Sequence, residues 1–163
     1  MTLTWLFSIL IYRNKSLLLL LLFLLLTCSS QARAAENLSF KAAETRQELI
    51  AIYFVKEQTQ SPDFKYKISA IDLNKDGLNE YIACATHCKN NTLCDFYIIA
   101  FMSNKPILIG KIKSQKLIVE DTHQFGVRDI LIFTNRLNDF DQNKLEWNPY
   151  DFVYKEKTVS NRR

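Results

Sequence analysis

The stretch that most constrains the fold is Asp72-Leu-Asn74-Lys-Asp76-Gly77-Leu-Asn-Glu80. Acidic and amide side chains recur in it at alternate positions, and Gly77 follows the third of them. Alternate residues of a tight turn aim their side chains at one point, and glycine permits the positive φ that reverses the chain. Hard cations such as Ca²⁺ take roughly six to eight oxygens at about 2.3–2.6 Å. The spacing predicts a structural Ca²⁺ site built from Asp72, Asn74, Asp76, the Leu78 carbonyl and Glu80. An EF-hand would carry its bidentate glutamate at the twelfth loop position, which is Ala83 here, so a helix–loop–helix sensor does not fit. The same residues also suit a metal-free turn in which Asp and Asn side chains cap their own backbone. Either way the loop ties two strands together.

The chain before the loop changes period at Ser61-Pro62. Residues 36–58 lack Gly and Pro, and Thr45-x-x-Glu48 is a capping box ahead of an apolar run. Leu49, Ile52, Tyr53 and Lys56 form one stripe at helical spacing, with Ala43, Arg46, Ile50 and Phe54 beside it. This predicts a helix that lays a broad apolar face on a sheet and ends at Ser61-Pro62-Asp63. From Phe64 the period becomes two: Phe64, Tyr66, Ile68 and Ala70 alternate with Lys65, Lys67 and Ser69. Further strands are expected at 81–86, 95–102, 107–112, 116–120 and 128–134. A final hairpin, 145–147 with 152–154, follows a polar loop at 137–143. The expected class is α+β, with one N-terminal helix packed on an antiparallel β-meander of six to eight strands.

Residues 1–34 contain no Asp or Glu. Arg13 and Lys15 precede the apolar run 17–26, and Ala32-Arg-Ala34 supplies small residues at the spacing of a cleavage site. That is the anatomy of a secretory signal peptide, so residues 35–163 are expected to be a single exported domain, periplasmic or secreted. Leu25-Leu26-Thr27-Cys28 offers the alternative of a lipoprotein anchored through Cys28. The apolar run is too short to span a bilayer, so no transmembrane span is expected in the mature protein. Of the 21 basic residues, Arg13, Lys15 and Arg33 leave with the leader, so 18 face 17 acidic ones. A nearly neutral chain with interspersed signs carries no nucleic-acid signal.

Cys84, Cys88 and Cys94 remain after cleavage. If 80–87 and 95–101 pair as a hairpin, Cys88 faces Cys94, and the register sets Cys84 opposite Ile98 as a buried free thiol. Export makes a Cys88–Cys94 disulfide plausible. A zinc site from Cys84, His87, Cys88 and Cys94 is the alternative, with a spacing that matches no common finger.

The loop resembles the Asp-x-Asn-x-Asp-Gly-x-x-Glu strand–loop–strand units of FG-GAP and VCBS-type repeats. More closely, the chain is similar to a group of small bacterial exported proteins with a single such unit, of no settled activity. The residues that carry this resemblance are Asp72 to Glu80, the Cys88 to Cys94 bracket, Gly126-Val-Arg128-Asp129-Ile-Leu, and the aromatic segment Trp147 to Tyr154. Lys75 stands where the group has Gly.

No nucleophile elbow, zinc-protease helix or phosphate loop occurs, and the chain has only three glycines. The expectation is a non-catalytic domain that binds a protein or envelope partner, supported by the aromatics Tyr97, Phe101, Trp147, Tyr150 and Phe152. The alternative is a small exported hydrolase using His123 with Asp or Glu side chains such as Asp95, Glu120 and Asp121.

Overall fold

The structure is a computed structural model that describes residues 35–88, 92–134 and 142–157. The segment expected to be a leader, with Cys28, and most of the polar loop expected at 137–143 lie outside them. Two antiparallel sheets and one helix make up the described chain, which is α+β as expected. Among the described residues no helix is long and apolar enough to cross a membrane.

The helix, α1 (Arg46–Thr59), starts on the expected capping box. Glu48 N–H donates to Thr45 Oγ1 at 3.2 Å, and Glu48 Oε2 accepts from the amides of Thr45 and Glu44, both at 2.8 Å. Gln60 ends the helix in the left-handed region, with φ of 52°. Its buried face is only partly the expected one: Ala43, Ile52 and Phe54 of the two stripes pack half-buried against the core. Glu48, Ala51 and Val55 face the core, whereas Leu49 and Tyr53 are 56% and 63% exposed. The capping box explains the difference: Glu48 must turn back on its own N-terminus to satisfy two amides, and the face it lies on goes down onto the sheet. Burial pushes the Glu48 carboxyl up, but the two amides and Lys41 outweigh it and hold it below its ordinary value.

The first sheet is a meander of β2 (Tyr66–Ile71), β3 (Glu80–Ala85), β4 (Cys94–Met102) and β5 (Lys105–Ser114). The helix packs on β2, β3 and β5. Gly110 sits opposite Ile98 beside a bulge, where an added Cβ would meet Ile98 Cδ1 at 2.9 Å. The second sheet, in the order β1-β6-β7-β8-β9, joins β6 (Lys116–Gln124), β7 (Val127–Phe133), β8 (Gln142–Asn148) and β9 (Val153–Lys157) to the short β1 (Glu36–Asn37). The expected single meander is thus two, divided at Ser114. The buried Ser114 hydroxyl donates to the Lys116 carbonyl at 2.7 Å and accepts the Phe133 amide at 3.1 Å, and Gln115 N–H reaches the Phe133 carbonyl at 2.7 Å. These bonds carry the chain out of the first sheet and into the second. Ile68, Ile82, Ile98 and Val55 on one side join Val119, Ile130, Ile132 and Leu145 on the other in one core.

Strand alternation also departs from expectation within β2. Ser69 is buried with Ile68, Ala70 is exposed, and Phe64 lies outside the strand, half exposed.

Candidate ion loop, disulfide hairpin and the contact between sheets

The loop between β2 and β3 is held by its own side chains. Gly77 N–H donates to Asp72 Oδ2 at 3.0 Å, Asp76 N–H to Asn74 Oδ1 at 3.0 Å, and Leu78 N–H to Asp76 Oδ1 at 2.7 Å. Lys75 and Gly77 both have positive φ, 60° and 85°. Each bond leaves its acceptor oxygen a second lone pair. Asp72 Oδ1 is buried and has no hydrogen-bond partner.

Glu80 completes the expected set, and Asp76 and Asp72 stand near enough for their charges to act on it. It is buried at the start of β3, and its Oε2 accepts the Leu73 amide at 2.7 Å. Burial, followed by the charges of Asp76 and Asp72, raises its carboxyl above the ordinary value, against the lowering by the Leu73 amide. Lys75, the cation within the loop, reaches away to Asp121 at 3.2 Å. Among the described residues no three His, Cys, Asp or Glu side chains gather as a metal cluster. The candidate oxygens are mixed: Asp72, Asn74, Asp76, the Leu78 carbonyl and Glu80. The unpartnered Asp72 oxygen is the feature among them that a cation would satisfy.

The sequence gives no sign that this loop also binds the opposite sheet. The Leu73 carbonyl accepts the Arg128 amide of β7 at 2.7 Å. Opposite Asp129, β6 bulges between Val119 and His123, and this bulge carries Glu120 and Asp121. Arg128 Nε donates to the Glu120 carbonyl at 3.0 Å, and its guanidinium pairs with Glu36 of β1 at 3.0 Å. Asp129 pairs with Lys144 of β8 at 2.7 Å, and Tyr154 of β9 donates to the Arg128 carbonyl at 2.8 Å. Arg128 and Asp129 are both buried at this junction.

Cys88 and Cys94 are joined in a disulfide, with Cα atoms 5.9 Å apart. Cys84 is free and buried, as expected, and burial, eased by Lys67, pushes its thiol up to about 11. The hairpin register differs by two: Cys84 faces Phe96, and Ile98 faces Ile82. The chain leaves β3 at Ala85, whose carbonyl accepts the Cys88 amide at 3.0 Å. That turn brings Cys88 back to Cys94 without strict cross-strand pairing. With two of its four ligands in the disulfide, the zinc alternative falls.

His123 is exposed, with Nδ1 3.1 Å from the Asp121 carbonyl. The carboxylates nearest it in sequence are engaged by lysines, Asp121 by Lys75 and Glu120 by Lys144 at 3.4 Å. Asp95 lies on β4, 3.9 Å from Lys113. Comparison with protein-family models, with curated proteins and with solved structures returned no match.

Proposed function

We propose that this chain is an exported, non-catalytic binding domain, periplasmic or secreted, in which the Asp72–Glu80 loop takes a structural Ca²⁺. The observation that carries the binding role is the aromatic surface at the hairpin ends: Phe125, Tyr150 and Phe152 are exposed beside the half-buried Trp147. Large aromatics left in water are the usual anchors of interfaces. Asp72, Asn74, Asp76, the Leu78 carbonyl and Glu80 would hold the ion, which supplies positive charge to a loop whose carboxylates otherwise repel. The export reading rests on the leader, and the disulfide accords with an oxidising compartment. The role of the loop in this reading is to hold the binding surface in shape rather than to report calcium.

Affinity capture from the envelope fraction of the producing cell, with Ca²⁺ or with EDTA, tests the reading. Wild-type protein should retain a partner that Tyr150→Ala loses. Identical retention by both proteins would remove the aromatic surface from the account.

A further inference from the structure

Two phenylalanines sit where the backbone least favours them. Phe125 and Gly126 form the two-residue turn between β6 and β7 with φ of 53° and 81°. Positive φ at both central positions is the pattern of a type I′ turn, which ordinarily selects Asn, Asp or Gly first. Phe152 closes the turn before β9 with φ of 54°, again a position that favours Gly. A bulky residue at positive φ costs stability and persists where something other than folding selects it. Neither ring gains burial in exchange: they are 64% and 61% exposed.

Both turns flank one cleft of about 300 Å³, lined by Gln124, Phe125, Trp147, Asn148, Pro149 and Tyr150. Trp147 is braced by edge contacts to Phe152 and Tyr154, with centroids 6.4 and 5.6 Å away. Tyr150 is 89% exposed, and its backbone N–H donates to Asn148 Oδ1 at 2.9 Å. That bond leaves the Asn148 NH₂ group as a donor, and Gln124 adds a second carboxamide. Glu146, Glu156, Lys155 and Lys157 line the cleft as well, two acidic and two basic; Lys157 pairs with Glu146 at 2.9 Å, Lys155 with Asp151, and Glu156 accepts from the neutral Asn143 amide.

A ligand for this cleft must offer flat C–H faces to the rings and hydroxyls to the carboxamides, and it needs no net charge. We propose that the Phe125–Trp147–Tyr150 cleft binds a neutral oligosaccharide. A pyranose has both surfaces, and aromatic rings with a polar handle recognise such mixed faces. The inference rests on the binding role proposed above and names the class of its partner.

The test uses the full chain carrying Trp5→Phe, so that Trp147 is its only tryptophan. Hexamers of β-1,4-linked N-acetylglucosamine and of β-1,4-linked glucose are titrated against Trp147 fluorescence, with decaproline as the peptide control. A saturable change with at least one hexasaccharide is expected. Tyr150→Ala should weaken it about tenfold, the scale of one lost aromatic contact, with an unchanged Tm. Phe125→Asn should weaken binding while leaving Tm equal or higher, because Asn suits the turn. No saturable change with either sugar, a change with decaproline alone, or wild-type affinity in both variants would overturn the inference. Partner retention that Tyr150→Ala abolishes in the capture experiment, with no response to sugars, would leave the binding role standing and sink only the saccharide.

Discussion

Glu80, marked by its position in the motif as a fifth ion ligand, also accepts the Leu73 amide with its Oε2 inside the protein. Its carboxyl is raised, chiefly by burial and then by Asp76 and Asp72, so the folded protein holds the proton more tightly than the unfolded chain does. Stability from this group is therefore present below the ordinary carboxylate range and is lost as pH rises through the raised folded value. Melting wild type and Glu80→Gln in EDTA between pH 7 and pH 5 should show wild type gaining on the variant as pH falls. Parallel curves would mean that Glu80 is not strained. Glu48 works in the opposite sense, because its lowered carboxyl contributes stability above the ordinary range and loses it on acidification. Its presence in both proteins is why the comparison must be between them.

At the scale of elements, legibility followed locality. The capping box needs only Thr45 and Glu48, three residues apart, and the disulfide closes across a separation of 6. Both stand in the sequence as spacings. The helix face was not legible from hydrophobic periodicity, because the burial of Glu48 follows from two hydrogen bonds rather than from polarity. The register of β3 and β4 depends on a turn at Ala85–Cys88 that no residue type announces. Loop closure by the disulfide is worth about 2 kcal/mol for a ring this small. Urea unfolding of the Cys88→Ser, Cys94→Ser double variant should show a loss of that order with an unchanged m-value. Wild-type stability would mean that the hairpin is already ordered in the unfolded chain.

On the scale of the molecule, the division into two sheets turns on Ser114 and its bonds to Phe133, 19 residues away. No alternation pattern encodes a bond at that distance. The same holds for the candidate site. The loop is plain in the sequence, but its partners Arg128 and Asp121 come from β7 and β6 of the other sheet, where Glu120, Lys144 of β8 and Tyr154 of β9 surround them. What reads as a turn between neighbouring strands is a clip between layers, and an ion there would steady the contact that sets β6 to β9, and with them the aromatic cleft.

Thermal melting in excess Ca²⁺ and in EDTA addresses that claim directly. A ligand bound only by the folded state stabilises by about 1.4 kcal/mol at ten times its Kd, or a few degrees for a domain of this size. Wild type should melt higher in Ca²⁺ by that amount, and Asp72→Asn, which leaves the Gly77 cap an oxygen but removes the charge, should lose most of the rise. Equal melting temperatures for wild type in Ca²⁺ and in EDTA would contradict the ion and leave the clip held by its hydrogen bonds alone.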